Sequence, residues 1–212
     1  MPKLARIDRG LSPPVQARRS PAMARVWDPI VRIFHWSLVL SFAVAWFTRH
    51  SSASIHYGAG YFAAALVGMR LQWGRIGTPY ARFSQFVRDP ATVARYLRAM
   101  LKGREPRYIG HNPAGGAMVL ALMTAMVAAA VTGWMMTTDA LFGVPWVGWT
   151  HDLASYGLLF LVSIHICGVI HASLRHRENL VGAMITGRKR IAQAEDGMQC
   201  VERKEQSVAE PG

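Results

Sequence analysis

The sequence is poor in charged residues, and acidic residues are nearly absent from the segments where apolar residues cluster. Charged side chains make up 17% of the 212 residues and hydrophobic side chains 51%, which is low in charge for a soluble domain. Asp152, at the edge of the last apolar segment, is the one acidic residue in these segments. A channel, transporter or assembly subunit that uses intramembrane histidines for metal ions or protons is therefore disfavoured, but it stays as the alternative hypothesis.

Cysteine is scarce as well. Cys167 lies inside the last apolar segment and Cys200 lies in the polar C-terminal tail, so we expect no disulfide between them. Two cysteines also cannot supply the four thiolates of an ordinary iron–sulfur cluster. Any iron–sulfur chemistry would belong to a partner protein.

Long uncharged runs are the main feature that is present. Two runs of about 22 residues, 115–136 and 153–174, contain no Asp, Glu, Lys or Arg. Each can cross roughly 30 Å of hydrocarbon as a helix. Two shorter apolar segments reach spanning length when Arg32 and Arg49 extend toward the two interfaces and Arg70 is tolerated near the end of the second. The pattern predicts an all-α integral membrane protein, a multi-pass four-helix bundle with spans at about 31–49, 54–74, 115–137 and 151–174.

The formal charge of +12 comes from basic residues that sort by segment. They concentrate in the head, in the loop between the second and third spans, and in the tail, whereas the other two loops carry only Arg49 between them. Under the positive-inside rule both termini lie in the cytoplasm. This distribution excludes a nucleic-acid partner as the reason for the charge, and it favours contact of the basic loop with anionic membrane lipid over contact with a cytoplasmic subunit.

Three regions follow along the chain. Residues 1–25 and 191–212 are polar without apolar periodicity and are predicted to be disordered tails, and residues 26–190 form the membrane domain. In the basic loop, Asp89 and Pro90 predict the start of a helix that runs to Leu101 on the cytoplasmic membrane surface.

Four of the eight histidines occupy informative positions in the spans. His151 and His165 are fourteen residues apart, close to four helical turns, so both project from one face at depths about 21 Å apart. The predicted topology places His35 near the cytoplasmic end of the first helix and His56 at the outer end of the second. His35 and His165 therefore share an inner level, and His56 and His151 share an outer level.

Paired imidazoles from facing helices are the usual axial ligands of an electron-transfer haem. The spacing thus predicts two b haems stacked across the membrane, with iron bound by His35, His165, His56 and His151. Arg70 is placed to pair with a haem propionate, although an arginine that extends to the interface explains its position equally well. His171 points about 120° away from His165 and is kept as an alternative ligand or a quinone-site residue.

The motifs themselves match a known pattern. They are Trp27-Asp28-Pro29, Arg32-Ile33-Phe34-His35-Trp36, His56-Tyr57-Gly58-Ala59-Gly60-Tyr61, Arg70-Leu71-Gln72-Trp73-Gly74 and Gly110-His111-Asn112-Pro113-Ala114-Gly115, followed by His151, His165 and His171. Over roughly residues 25–190 the chain resembles the bacterial cytochrome b561 and nickel-hydrogenase b-type cytochrome family.

The resemblance implies a four-helix bundle in the bacterial cytoplasmic (inner) membrane whose ligands match His35, His56, His151 and His165. It also implies a respiratory-chain carrier that moves electrons between the quinone pool and a redox partner, such as a hydrogenase-like subunit or a c-type cytochrome. Whether the chain is itself an enzyme stays open, because a quinone-linked superoxide oxidase would use the same haems with a different outer donor.

Overall fold

The computed structural model describes residues 23–25, 28–78, 81–106, 108 and 111–190. The predicted disordered tails lie outside these residues, apart from Met23–Arg25. The elements are β1 (Met23–Arg25), α1 (Pro29–Thr48), α2 (Ala53–Ile76), α3 (Phe83–Phe86), α4 (Pro90–Leu101), α5 (Pro113–Met135), α6 (Pro145–Arg175), α7 (Leu180–Thr186) and β2 (Arg188–Arg190).

The predicted helical class is confirmed, with one addition. β1 and β2 pair antiparallel, with Met23 opposite Arg190, and so join the segment before α1 to the segment after α7. Residues 23–25 were predicted to belong to a disordered tail, and the pairing corrects that assignment. Strands of three residues are too short to show the alternation that reveals a strand in a sequence.

Three helices, α1, α4 and α5, begin with the same local device. A polar residue caps the helix and proline occupies its first turn: the side chains of Asp28, Asp89 and Asn112 accept hydrogen bonds from the backbone N–H groups of Ile30, Thr92 and Gly115 at 2.7, 2.9 and 2.7 Å. These caps satisfy N–H groups that have no partner inside the helix, and proline fits there because its missing N–H is not needed. The helix predicted to start at Pro90 is confirmed.

Helices α1, α5 and α6 are long and apolar enough to cross a membrane, judged by length and composition. The fourth predicted span corresponds to α2, a helix of 24 residues that is less apolar than the other three. Helix α6 begins at Pro145, before the predicted start of the fourth span at about residue 151. His151 therefore lies almost two turns inside the helix, where the backbone holds it on both sides.

The helices pack in the order α1 against α2, α2 against α5, and α5 against α6. Helix α6 makes few close backbone contacts with α1 or α2. The buried core contains Ala63 and Val67 of α2, Met123 and Met126 of α5, and Leu158 of α6. Large apolar residues elsewhere on the helices are exposed, as on a surface that faces lipid; examples are Ile33, Phe47, Leu153 and Phe160.

One end of the bundle is closed by α3. A Cβ atom at Gly74 would fall 2.1 Å from the ring of Phe83, and one at Gly116 would fall 2.6 Å from the carbonyl oxygen of Phe86. Glycine at these two positions therefore allows α3 to rest against α2 and α5. The loop between the second and third long helices is folded back onto the bundle at this end.

A buried carboxylate attaches the same loop to the end of α6. The side chain of Glu105 is 2% exposed, and its Oε1 lies 3.3 Å from Nε of Arg175. Arg175 also donates a hydrogen bond from Nη2 to the carbonyl oxygen of Gly103 at 2.5 Å. A hydrogen bond from its own backbone N–H, followed by the charge of Arg175, lowers the pKa of Glu105 below its ordinary value of 4.5.

This carboxylate predicts a pH-dependent contribution to stability. Because its pKa is lowered by folding, the ionised form stabilises the fold at pH values above about 4.5, and the contribution is lost as pH falls through the lowered pKa. We expect Glu105→Gln to reduce the thermal-unfolding midpoint of the purified protein at pH 7, and we expect this reduction to shrink as the pH falls below about 4.5. The matched control is Asp139→Asn, at an exposed position in the loop before α6; equal effects of both variants at pH 7 would contradict the assignment.

Candidate functional site: two pairs of histidines

The structure brings the four predicted histidines together in two pairs. The ring centres of His35 in α1 and His165 in α6 are 6.5 Å apart, with an angle of 56° between the ring planes. The ring centres of His56 in α2 and His151 in α6 are 6.2 Å apart, with an angle of 84°. The pair of His35 and His165 therefore joins α6 to α1, and the pair of His56 and His151 joins α6 to α2. The backbone of α6 makes few close contacts with either helix.

These separations fit one metal ion held between two imidazoles. A histidine nitrogen binds a transition metal at about 2.0 Å, so two rings on opposite sides of one ion have centres about 6 Å apart. In the part of the chain that the structure describes, no group of three or more His, Cys, Asp and Glu side chains is placed to hold an ion. Two protein ligands at each position suit haem iron, because the porphyrin supplies the remaining nitrogens.

The core separates the two pairs. Leu158 lies seven residues from His151 and seven from His165, on the face of α6 that carries both histidines. It packs with Met123, Met126 and other apolar side chains of α2 and α5. A dry apolar layer therefore lies between the two levels.

In the pair formed by His56 and His151, both histidines are oriented by main-chain carbonyls. Nδ1 of His56 donates to the carbonyl oxygen of Ala45 at 2.8 Å, and Nδ1 of His151 donates to that of Ala129 at 3.0 Å. Because a carbonyl oxygen only accepts hydrogen bonds, Nδ1 carries the proton and Nε2 keeps its lone pair. Both rings thus offer the nitrogen that would bind iron.

Two residues of α5 shape the environment of His151, and neither was predicted as a site residue. The hydroxyl of Thr132 lies 3.2 Å from Nδ1 of His151. A Cβ atom at Gly133 would fall 3.1 Å from Cε1 and 3.3 Å from Nδ1 of the same ring. A side chain at position 133 would therefore force this imidazole to shift by a few tenths of an ångström.

The pair formed by His35 and His165 has a different polar environment. Nδ1 of His35 is buried and has no hydrogen-bond partner among the described residues. Arg70 is 3% exposed, donates from Nη2 to the carbonyl oxygen of Ala81 at 2.9 Å, and leaves Nη1 without a partner within the same part of the chain. Arg70 is therefore a buried residue and does not extend to the interface as the alternative reading required.

A further buried donor on α2 was not predicted as a site residue. Nε1 of Trp73 is buried and lacks a partner among the residues that the structure describes, and Trp73 lies one turn after Arg70. Unpaired donors in an apolar protein are costly. Donors of this kind suit an anionic group such as a haem propionate.

His171 is not brought into either pair. It is exposed on α6, and the structure shows no ring contact between it and another described histidine. The geometry thus favours His165 over His171 as the partner of His35.

Paired histidines between long apolar helices define a candidate haem site in a membrane protein, and the comparison with known families agrees. The family model described as prokaryotic cytochrome b561 matches residues 26–187. The chain belongs to the prokaryotic cytochrome b561 family.

Curated relatives are similar over most of their length. Proteins named probable Ni/Fe-hydrogenase B-type cytochrome subunit match from Cupriavidus necator, with 28% identity over 82% of this chain and 89% of the relative, and from Rhizobium leguminosarum bv. viciae, with 23% identity over 81% and 90%. The protein of that name from Rhodobacter capsulatus is 23% identical over 77% and 80%. No solved structure matches. Membership in this family makes the chain a membrane protein that binds haem b and transfers electrons.

Proposed function

We propose that this protein holds two b haems across the bacterial cytoplasmic membrane and carries electrons between a quinone and a redox partner. The observation that supports this proposal most strongly is the pairing of His35 with His165 and of His56 with His151, at 6.5 and 6.2 Å between ring centres. Each pair is a candidate set of axial ligands for one haem iron.

The proposed topology is a four-helix bundle with both termini in the cytoplasm. Helix α2 serves as the fourth span: its 24 residues extend about 36 Å, and it packs between α1 and α5. Basic residues of the head, the second loop and the tail favour the cytoplasmic placement of that side. The inner level is then formed by His35 and His165, and the outer level by His56 and His151.

Bound haem supplies one-electron exchange between ferric and ferrous iron. The chain's own part is to hold that group, to exclude dioxygen and water from the metal, and to fix its surroundings. Two imidazoles at each level leave no open coordination position. The main-chain carbonyls of Ala45 and Ala129 fix the two outer rings so that Nε2 faces the site.

The propionates of the inner haem are proposed to meet Arg70. Its Nη1 and the Nε1 of Trp73 are the buried donors of α2 that lack partners among the described residues. A guanidinium group binds a carboxylate through charge-assisted hydrogen bonds, and burial strengthens such bonds. Propionates bound there would also satisfy these two donors, which are otherwise costly to bury.

The proposed redox partner is a hydrogenase-like protein, because the similar proteins from Cupriavidus necator and Rhizobium leguminosarum bv. viciae are named probable Ni/Fe-hydrogenase B-type cytochrome subunit. The second reactant is a quinone, which the membrane supplies. A c-type cytochrome is the alternative protein partner. Anionic lipid is proposed to contact α4, whose exposed Leu97 and Leu101 lie beside Arg95 and Arg98.

The decisive experiment is a reduced-minus-oxidised spectrum of the purified full-length protein, with haem and protein quantified separately. We expect a b-type spectrum and two haems per chain. Electron transfer is then measured by adding a short-chain quinol to the oxidised protein, and by adding hydrogen together with a Ni/Fe hydrogenase.

Four outcomes would count against the proposal. A protein without haem supports the metal or proton transporter instead, and one haem per chain rejects the two-level arrangement. A protein with two haems that exchanges electrons with neither quinol nor quinone would reject quinone as a reactant. Quinone reduction with superoxide as the only donor would replace the carrier by a superoxide oxidase.

A further inference from the structure

The two levels differ in how their histidines are hydrogen-bonded. At the outer level both Nδ1 atoms donate to main-chain carbonyls, those of Ala45 and Ala129. At the inner level Nδ1 of His35 is buried without a partner, and within the described residues the ring of His165 makes no hydrogen bond. The same ligand type is thus placed in two unlike environments.

A hydrogen bond from Nδ1 makes the imidazole a stronger electron donor to a metal bound at Nε2. Stronger donation favours the ferric state, so it lowers the reduction potential of the iron. Two such bonds act at the outer level and none at the inner level. The asymmetry therefore stabilises the reduced state at the inner level relative to the outer level.

Two charged residues act in the same direction, and Arg49 at the outer end of α1 acts in the opposite one. Arg70, buried near the inner end of α2, favours the less positive ferrous state of a nearby haem. At the outer level, Asp152 follows His151 directly and favours the ferric state. Arg49 is the basic residue nearest the outer end of α1, and its guanidinium is stacked 4.1 Å from the ring centre of Trp46 and bonded to the carbonyl oxygen of the same residue.

We propose that the outer haem has the lower reduction potential and that Thr132 is a positioning residue that helps to lower it. The inference rests on the proposed function. Electrons given up at the outer face by a redox partner protein would move down in energy to the inner level, where a quinone accepts them. Each transfer oxidises the outer iron from ferrous to ferric and reduces the inner iron from ferric to ferrous, and no covalent bond changes.

Thr132 provides the means to test this. It is 7% exposed, and its hydroxyl donates to the carbonyl oxygen of Ala128 at 2.7 Å. Because that bond uses its only proton, the oxygen can only accept from Nδ1 of His151, at 3.2 Å. The hydroxyl therefore adds a second acceptor to the bond that Ala129 already provides.

The experiment is a redox titration of the holoprotein, with wild type, Thr132→Val and Thr132→Ser compared after their haem content has been measured. Valine keeps the shape and removes the acceptor, and we expect it to raise the lower of the two midpoint potentials. A tenfold change in the equilibrium ratio would appear as 59 mV for a one-electron couple. Thr132→Ser should keep the wild-type potential, and the higher midpoint should not move in either variant.

The outcomes separate this inference from the proposed function. Wild-type protein with fewer than two haems overturns both. Two haems with a shift of the higher midpoint would assign the higher potential to the outer level, and two haems with no shift would remove Thr132 from the tuning of His151; either result overturns this inference and leaves the two-haem carrier intact.

Discussion

His56→Ala is expected to reduce the haem content from two per chain to one, with loss of the outer haem. The ring of His56 lies 6.2 Å from that of His151 and is held by the carbonyl oxygen of Ala45. Removing it leaves one axial ligand, and a haem bound by a single imidazole in a detergent-solubilised bundle is readily lost or becomes five-coordinate. Haem quantification detects a lost haem, and loss of the low-spin signal detects a haem that stays bound but is five-coordinate.

His165→Ala should give the complementary result. This variant removes the partner of His35 and should lose the inner haem, while His56 and His151 keep the outer one. The midpoint potential that remains in each single-haem protein would then differ between the two variants. Retention of two six-coordinate haems in either variant would reject the ligand assignment.

Two other histidines supply matched controls for these substitutions. His50 is exposed in the loop between α1 and α2, and His171 is exposed near the end of α6. Both His50→Ala and His171→Ala are expected to keep two haems. Loss of a haem in His171→Ala, together with full occupancy in His165→Ala, would transfer the ligand role to His171.

Gly133→Ala is expected to weaken the outer haem without unfolding the protein. The new Cβ atom would lie 3.1 Å from Cε1 of His151, so the imidazole must move by a few tenths of an ångström. Alanine alone would favour the helix by about 0.5–1 kcal/mol relative to glycine, and any loss therefore comes from the displaced ring. We expect partial loss of one haem on purification, with the inner level unchanged.

Gly157→Ala is the matched control for this change. Gly157 also lies within a long helix, and a Cβ atom there would have no neighbour within 4 Å. This variant should keep both haems and the wild-type spectrum. The close-approach explanation fails when the two glycine variants hold haem equally well.

Much of the fold was predictable because membrane helices leave strong local signals. The uncharged runs in α5 and α6, and the caps at Asp89 and Asn112, are properties of neighbouring residues, and the structure has helices at each place. Helix α6 begins six residues before the predicted fourth span. Pro145 in its first turn marks that beginning.

The candidate site was predictable in part for the same reason. Fourteen residues between His151 and His165 place both on one helical face whatever the rest of the chain does. Their assignment to His56 and His35 needed the assumption of a four-helix topology, and the ring distances agree with it. Trp73, Thr132 and Gly133 were missed, because each matters only through a neighbour on another segment or through a donor left unpaired.

The sequence by itself determined the long apolar helices, the distribution of basic charge and the depths of the histidines on α6, because these depend on composition and on the fixed rise of a helix. Only the tertiary structure decided the contacts between helices. It buried Arg70, placed Gly133 against His151, and gave carbonyl partners to the outer histidines but not to the inner ones. Those contacts join residues far apart in the chain, and no local pattern specifies the rotation of one helix against another.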